Sequence, residues 1–295
     1  MGELRQEVAC VAHPLIGDRA GVESACPGAV LVRSPEEVIA SPDVDAVVIT
    51  RPTGDASMIH EALLTGKHVL IEAPLASTHS EARELANLAQ QRGQVLLVAH
   101  TPLFHRGLQA IKEWADKPEN GTLQAVNLHS HHPDPPKSSR EFWRSVSQQV
   151  AALAFILEQL PAELEAHWKR REDTFESARL VACGPETPSI DCELQFSFSS
   201  APSRATQRIE VRTDRGRAVM EQRGIGRSMV RLEEDLDGGP DERAPEDVLR
   251  REIRLEDPKR SLCEHFTQCI EERLPPRSDG HFGVNVVAGL ERARR

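Results

Sequence analysis

Apolar positions in the first hundred residues fall in short, dense runs separated by stretches of helical period. Glu7-Val-Ala-Cys-Val-Ala12, VLVRS at 30–34, Val44–Thr50, His68–Glu72 and Val95–His100 have the length and β-branched content of buried parallel strands. Helix signals lie between them. Ser34-Pro35-Glu36-Glu37 supplies an N-cap, a proline at the first helical position and first-turn acids. Residues 55–65 put Ala56, Ile59, Leu63 and Leu64 on one face and stop at Gly66. Ser77 and Thr78 open a helix that runs to Arg92 and ends at Gly93. This alternation predicts an α/β domain with a parallel sheet over residues 1–120.

After residue 120 the period shortens. Residues 123–132, 163–171, 178–183, 190–199, 207–213 and 217–222 alternate polar and apolar side chains, as in a sheet with one wet face. A helix over 141–159 carries Val146, Val150, Leu153, Ile156 and Leu157, and two more close the chain at 262–273 and 282–294. Residues 224–258, rich in Gly and acids with Pro240 and Pro245, read as a long exposed excursion, with Gly224-Ile-Gly226 as a hairpin turn. The second domain, 121–295, is therefore expected to be α+β with a mostly antiparallel open sheet.

Composition narrows the function classes. The 295 residues are 39% hydrophobic and 28% charged, with a net charge of −10. An acidic balance argues against nucleic-acid binding. No apolar run reaches the roughly 20 residues that span a bilayer, so no membrane partner is expected. MGELRQEVACVAHP has no basic segment followed by an apolar one, which predicts no secretory signal and a cytoplasmic protein. Cys10, Cys26, Cys183, Cys192, Cys263 and Cys269 form no CxxC and are expected reduced, although a hairpin could bring Cys183 to Cys192. The absence of tyrosine removes one common general acid.

The stretch VDAVVITRPTGDASMIHEALLTGKHVLIEAPLASTHSEARELANLAQQRGQVLLVAHTPLFHRGLQAI resembles the Gfo/Idh/MocA family of nicotinamide-dependent oxidoreductases. The resemblance implies a Rossmann domain followed by an α+β domain with an open antiparallel sheet. It implies cofactor-side roles for Pro52, Thr53, Glu72, Ala73, Pro74 and His100. Three departures stand out. The family's Glu-Lys-Pro is Glu72-Ala73-Pro74 here, and alanine offers no donor, charge or proton. The family's Asp-x-x-x-His aligns with Ser145 and Gln149. Residues 1–30 contain no GxGxxG between a strand and a helix, the turn that meets the pyrophosphate. By this register the strand at 7–12 matches the family's second strand, and His13 stands where an acid usually holds the ribose. A truncated Rossmann-like sheet is expected, from a natural loss or an incomplete N-terminus. Its second and fourth strands must then pair directly or leave two edges open.

His129, His131 and His132 form the one imidazole cluster, with His129 and His131 on one strand face and His132 on the other. No spacing is diagnostic of a metal, and none is expected. His131, His100 and Gln149 are the candidate catalytic groups. The losses favour a degenerate, non-redox protein that binds a small-molecule ligand, with no cofactor expected for this chain. The alternative is an NAD(P)-dependent oxidoreductase acting on a sugar or related metabolite. A homo-oligomer or a partner protein is expected, through an open sheet edge or the second domain's free face, with apolar area from Leu194, Phe196, Ile209 and Val211.

Overall fold

The computed structural model describes residues 7–12, 21, 24–50, 56–171, 174–183, 190–198, 205–223, 227–234, 248–254 and 257–294. Two compact units form: residues 1–99 with 262–287, and residues 100–261 with 288–295. The sequence division at 120/121 thus moves to the end of the fifth strand, and the C-terminal segment is shared between the units.

The first unit is α/β. β1 (Cys10–Ala12) pairs with β2 (Val30–Val32) in parallel; β3 (Ala46–Ile49), β4 (His68–Glu72) and β5 (Leu96–Ala99) form a separate parallel sheet. Helices α1 (Pro35–Ala40), α2 (Ala56–Leu64) and α3 (His79–Arg92) link the strands. The predicted caps are present. Ser34 Oγ accepts from Glu37 N, while Glu37 Oε1 accepts from Ser34 N at 3.1 Å. Thr78 and Glu81 repeat this reciprocal box on α3, and Gly93 closes that helix at φ 66°. Val47, Ile49, Val69, Ile71, Leu96 and Val98 face Ile59 and Leu63 of α2 and Leu85 of α3 in one buried cluster. Leu64, grouped with that face by period, is instead exposed. Lys67 is buried because its Nζ donates to Ser41 O (2.7 Å) and Val44 O (2.6 Å), tying the end of α2 to the approach of β3.

The second unit is a mixed eight-stranded sheet in the order β13-β12-β11-β10-β6-β9-β8-β7. Its strands are β6 (Leu123–His132), β7 (Glu163–Arg171), β8 (Thr174–Cys183), β9 (Asp191–Phe198), β10 (Thr206–Thr213), β11 (Gly216–Arg223), β12 (Arg227–Glu234) and β13 (Val248–Arg254). Every neighbouring pair is antiparallel except β6 with β9. β12 and β13 correct the reading of 224–258 as an excursion. Their charged residues hide a strand period, and the ladder to β11 supplies the missing order. Gly224–Gly226, Pro240 and Pro245 lie outside the described residues. Helices α4 (Arg106–Ala115) and α5 (Ser139–Leu157) cover one face, α4 over β10–β12 and α5 against β6. Leu194, Phe196, Ile209 and Val211 all lie buried on that helix side. They are therefore not the apolar area of a free association face. α6 (Pro258–Glu271) and α7 (Gly280–Ala293) complete the chain.

Candidate functional site

In the first unit the groups expected to meet a ligand sit after β4. Glu72 ends the strand half-buried, and Ala73 and Pro74 follow, both buried and joined by a cis peptide bond. Ala73, Leu75 and Ala76 are part of the apolar cluster under the sheet. The position of the expected lysine is thus filled by a methyl group packed on its neighbours. Pro52 and Thr53 lie outside the described residues, as does His13.

In the second unit His100 follows β5 and is fully buried. Burial pushes its pKa down to about 3, so it is a neutral imidazole at any physiological pH. His105 was not singled out by the sequence reading. It caps α4 by accepting from Gly107 N at Nδ1 (3.0 Å), its Nε2 has no partner among the described residues, and burial lowers its pKa to about 4. The signal available was a histidine two residues before a glycine at a helix start. A Cβ on Gly107 would come within 2.9 Å of the His105 ring and 2.6 Å of Met220 Sδ, so the cap needs glycine there.

The three candidate catalytic groups are not brought together. Gln149, on α5, is buried and accepts from Gln207 Nε2 at 3.3 Å on the helix side of the sheet. Ser145 donates back to Glu141 O within its own helix. His131 lies on the opposite face, where its Nδ1 is 3.0 Å from Ser197 Oγ. The helix-side imidazole is His132, stacked on Phe198 at 5.6 Å and beside Phe142 of α5 through that ring. The alternation read from the sequence holds. Its consequence is that His132, not His131, shares a face with the helix carrying Gln149.

The open face is a polar lattice around a basin of about 990 Å³. One row across the strands reads His167, Arg179, Gln195, His129, Arg208, Glu221. Arg179 pairs with Glu193 at 2.5 Å, Arg208 with Glu210 at 2.6 Å and also with Glu221, and Arg231 with Glu221 at 3.0 Å. The hydrogen bond from Arg179 holds the Glu193 carboxyl below its ordinary pKa.

Whether these residues fit a dinucleotide turns on its pyrophosphate, which needs free amides at a glycine-rich helix start. In the first unit, α1 and α3 have their leading amides taken by capping boxes that place Glu37 and Glu81 at the helix mouth. A carboxylate there repels phosphate. Gly66 and Gly93 stand at helix ends, not starts. The described starts of α1 and α3 therefore do not fit the pyrophosphate. Among the described residues no group of three His, Cys, Asp or Glu side chains could hold a metal ion, and no helix is long and apolar enough to cross a membrane. Cys192 is a buried free thiol pushed up to about 12.

Residues 4–100 match the model of the Gfo/Idh/MocA oxidoreductase family, NAD-binding Rossmann fold. A dTDP-3,4-didehydro-2,6-dideoxy-alpha-D-glucose 3-reductase of Streptomyces violaceoruber is 32% identical over 113 residues, 38% of this chain and 32% of that protein. An inositol 2-dehydrogenase of Agrobacterium fabrum is 29% identical over 157 residues, 52% of this chain and 43% of that protein. The chain spans about a third of the length of the first curated relatives it matches. In fold it is similar to KijD10, a 3-ketoreductase from Actinomadura kijaniata in complex with TDP-benzene and NADP. That likeness has a TM-score of 0.77 at 19% identity, covering 98% of this chain and 88% of that one.

Proposed function

We infer the function from the premise that the chain belongs to the Gfo/Idh/MocA oxidoreductase family: it is an NAD(P)-dependent oxidoreductase acting on a hydroxyl or keto carbon of a sugar-related substrate. The observation that carries this reading is the family match over the whole β1–β5 region, joined to a second unit with the open sheet of that fold. The sugar class rests on the reductase and dehydrogenase relatives. The degenerate, non-redox reading favoured by the sequence loses ground to its alternative, since the matched relatives are redox proteins.

The residues proposed to serve a nicotinamide are Pro52, Thr53, Glu72, Ala73, Pro74 and His100, and the proposed substrate-side groups are Gln149 and His132. His132 replaces His131, which faces away from α5. A homo-oligomer stays a proposal on the grounds given by the sequence. A polar association face is proposed in place of an apolar one, because the free face of the sheet is ion-paired.

A specific observation favours a second reading, small-molecule binding without redox chemistry: a packed methyl group stands at residue 73, and Ser145 and Gln149 stand where the family has an acid and a histidine. The two readings separate in an assay with reduced nicotinamide mononucleotide, which has no pyrophosphate and so needs no phosphate-binding turn. Its oxidation in the presence of keto-sugar nucleotides or inosose supports the oxidoreductase. Saturable binding of those sugars without any oxidation supports the second reading.

A further inference from the structure

Five aromatic rings run in contact through the second unit, from His132 outward. His132 of β6 stacks on Phe198 of β9 at 5.6 Å between centroids, and Phe198 meets Phe142 of α5 at 6.2 Å. Phe142 meets Trp143 edge to face at 5.3 Å, and Trp143 meets Trp168 of β7 edge to face at 6.2 Å. The inner rings are closed off, Phe142 at 1% exposure and Phe198 at 8%, while Trp168 at the far end is 45% exposed. Trp168 stands in the row that passes through Ala178 and Phe196 to Ser130, two residues before His132. Three strand spacings of about 4.8 Å put it roughly 14 Å from β6. A guanidinium completes this end: Arg294 Cζ lies 4.5 Å over the Trp143 ring. Glu291, one turn back, acts on Arg294 only through space, and among the described residues no carboxylate hydrogen-bonds to it. An indole left nearly half open beside a cation with no bonded acid has the make-up of a recognition surface, where Trp and Arg are enriched.

We propose that Trp168, Trp143 and Arg294 form a platform for a nucleoside diphosphate, so that the sugar-related substrate is a nucleotide-linked sugar. The sugar end of this inference rests on the oxidoreductase reading; the platform itself does not. Each part of the surface selects a part of the ligand. The open indole stacks on a nucleobase, and takes any base because every base has a π-face. The guanidinium offers paired N–H donors that match phosphate oxygens, and its seat on Trp143 holds that fork in place. His132 and Gln149 lie towards the other end of the row of rings, so the sugar is the part that meets them. A free sugar or inositol at His132 would leave Trp168 bare, whereas a sugar joined to a base through a diphosphate covers the span. An uncharged oligosaccharide could stack on the indole, but it brings no charge for Arg294.

The test uses the full chain, with dTDP as the probe in calorimetry and tryptophan fluorescence as a second readout. Saturable binding of dTDP with quenching is expected. Thymidine and inorganic pyrophosphate, each lacking one half of the probe, should bind at least about tenfold more weakly. Trp168→Ala should weaken dTDP binding at least about tenfold, and Trp168→Phe, which keeps a ring, should restore most of it. Arg294→Gln should bring dTDP down to the level of thymidine. Both side chains are exposed, so the circular dichroism of the variants should match that of the parent. No saturable dTDP binding, or binding indifferent to Trp168→Ala, overturns the platform. NADPH binding that weakens with Trp168→Ala overturns the substrate assignment, because the platform then holds the cofactor's base. Binding of dTDP at Trp168 in a chain that transfers no hydride keeps the platform and overturns the oxidoreductase reading. Hydride transfer to inosose in a chain that binds no dTDP does the reverse.

Discussion

His105 makes the second unit sensitive to acid, by an amount that can be worked out. The residue is 5% exposed, and its ring caps α4 through Nδ1 and has a pKa lowered by burial from 6.5 to about 4. Burial penalises the imidazolium, so the folded state holds the neutral ring while the unfolded chain takes up a proton first. The sign follows from linkage. The stabilisation is fully present above pH 6.5 and is lost as pH falls from there towards 4. At roughly 1.4 kcal/mol per pH unit, one and a half units below the unfolded value removes about 2 kcal/mol by pH 5. His105→Asn keeps an N-cap acceptor and removes the titration. Urea unfolding followed by the fluorescence of Trp114, Trp143 and Trp168, all in this unit, reads the result. Between pH 7 and pH 5 the parent chain should lose about 2 kcal/mol more than the variant. His100 and the carboxylates contribute equally to both and cancel. Equal losses in the two proteins would refute the assignment of a buried, neutral His105.

Lys67→Met removes two charge-assisted hydrogen bonds, one of them buried, and should lower the stability of the first unit by about 2–4 kcal/mol in thermal unfolding; an unchanged midpoint would show that water replaces them. Gly283→Ala places a Cβ 2.9 Å from Val98 Cγ2 and 3.2 Å from Leu75 Cδ2, where α7 approaches β5, so a loss of about 1–3 kcal/mol in urea is expected and a gain would contradict this close contact. Ala73→Lys restores the donor that the family carries and should preserve or raise turnover with reduced nicotinamide mononucleotide; abolished turnover would mean that the pocket serves another reaction. His131→Ala should leave that turnover unchanged, since His131 lies on the face away from α5, and a large loss would return His131 to the site.

The sequence made most of the fold legible because its signals are local. Ser34, Thr78 and Gly93 cap the helices they were expected to cap, and the runs at 44–50, 68–72 and 95–100 form the parallel strands. Of the two outcomes the strand order left open for the first sheet, direct pairing of β1 with β3 is not seen among the described residues. The misses came from information that is not local. β12 and β13 are strands through their ladder to β11, and their charges conceal the period. Leu194, Phe196, Ile209 and Val211 have the right alternation for either face, and only the helices decide which face is covered. The strand period put His131 and His132 on opposite faces, but could not say which of the two faces α5. His105 is visible only through its contact with Gly107 and its burial.

The central claim is hydride transfer to a sugar-related carbon, and an isotope measures it directly. The chain is incubated with keto-sugar nucleotides or inosose and with reduced nicotinamide mononucleotide deuterated at its hydride-donating carbon, and the sugar is analysed by mass spectrometry. The account predicts a reduced sugar that carries the deuterium. A sugar recovered unreduced, although bound to the protein, would contradict it.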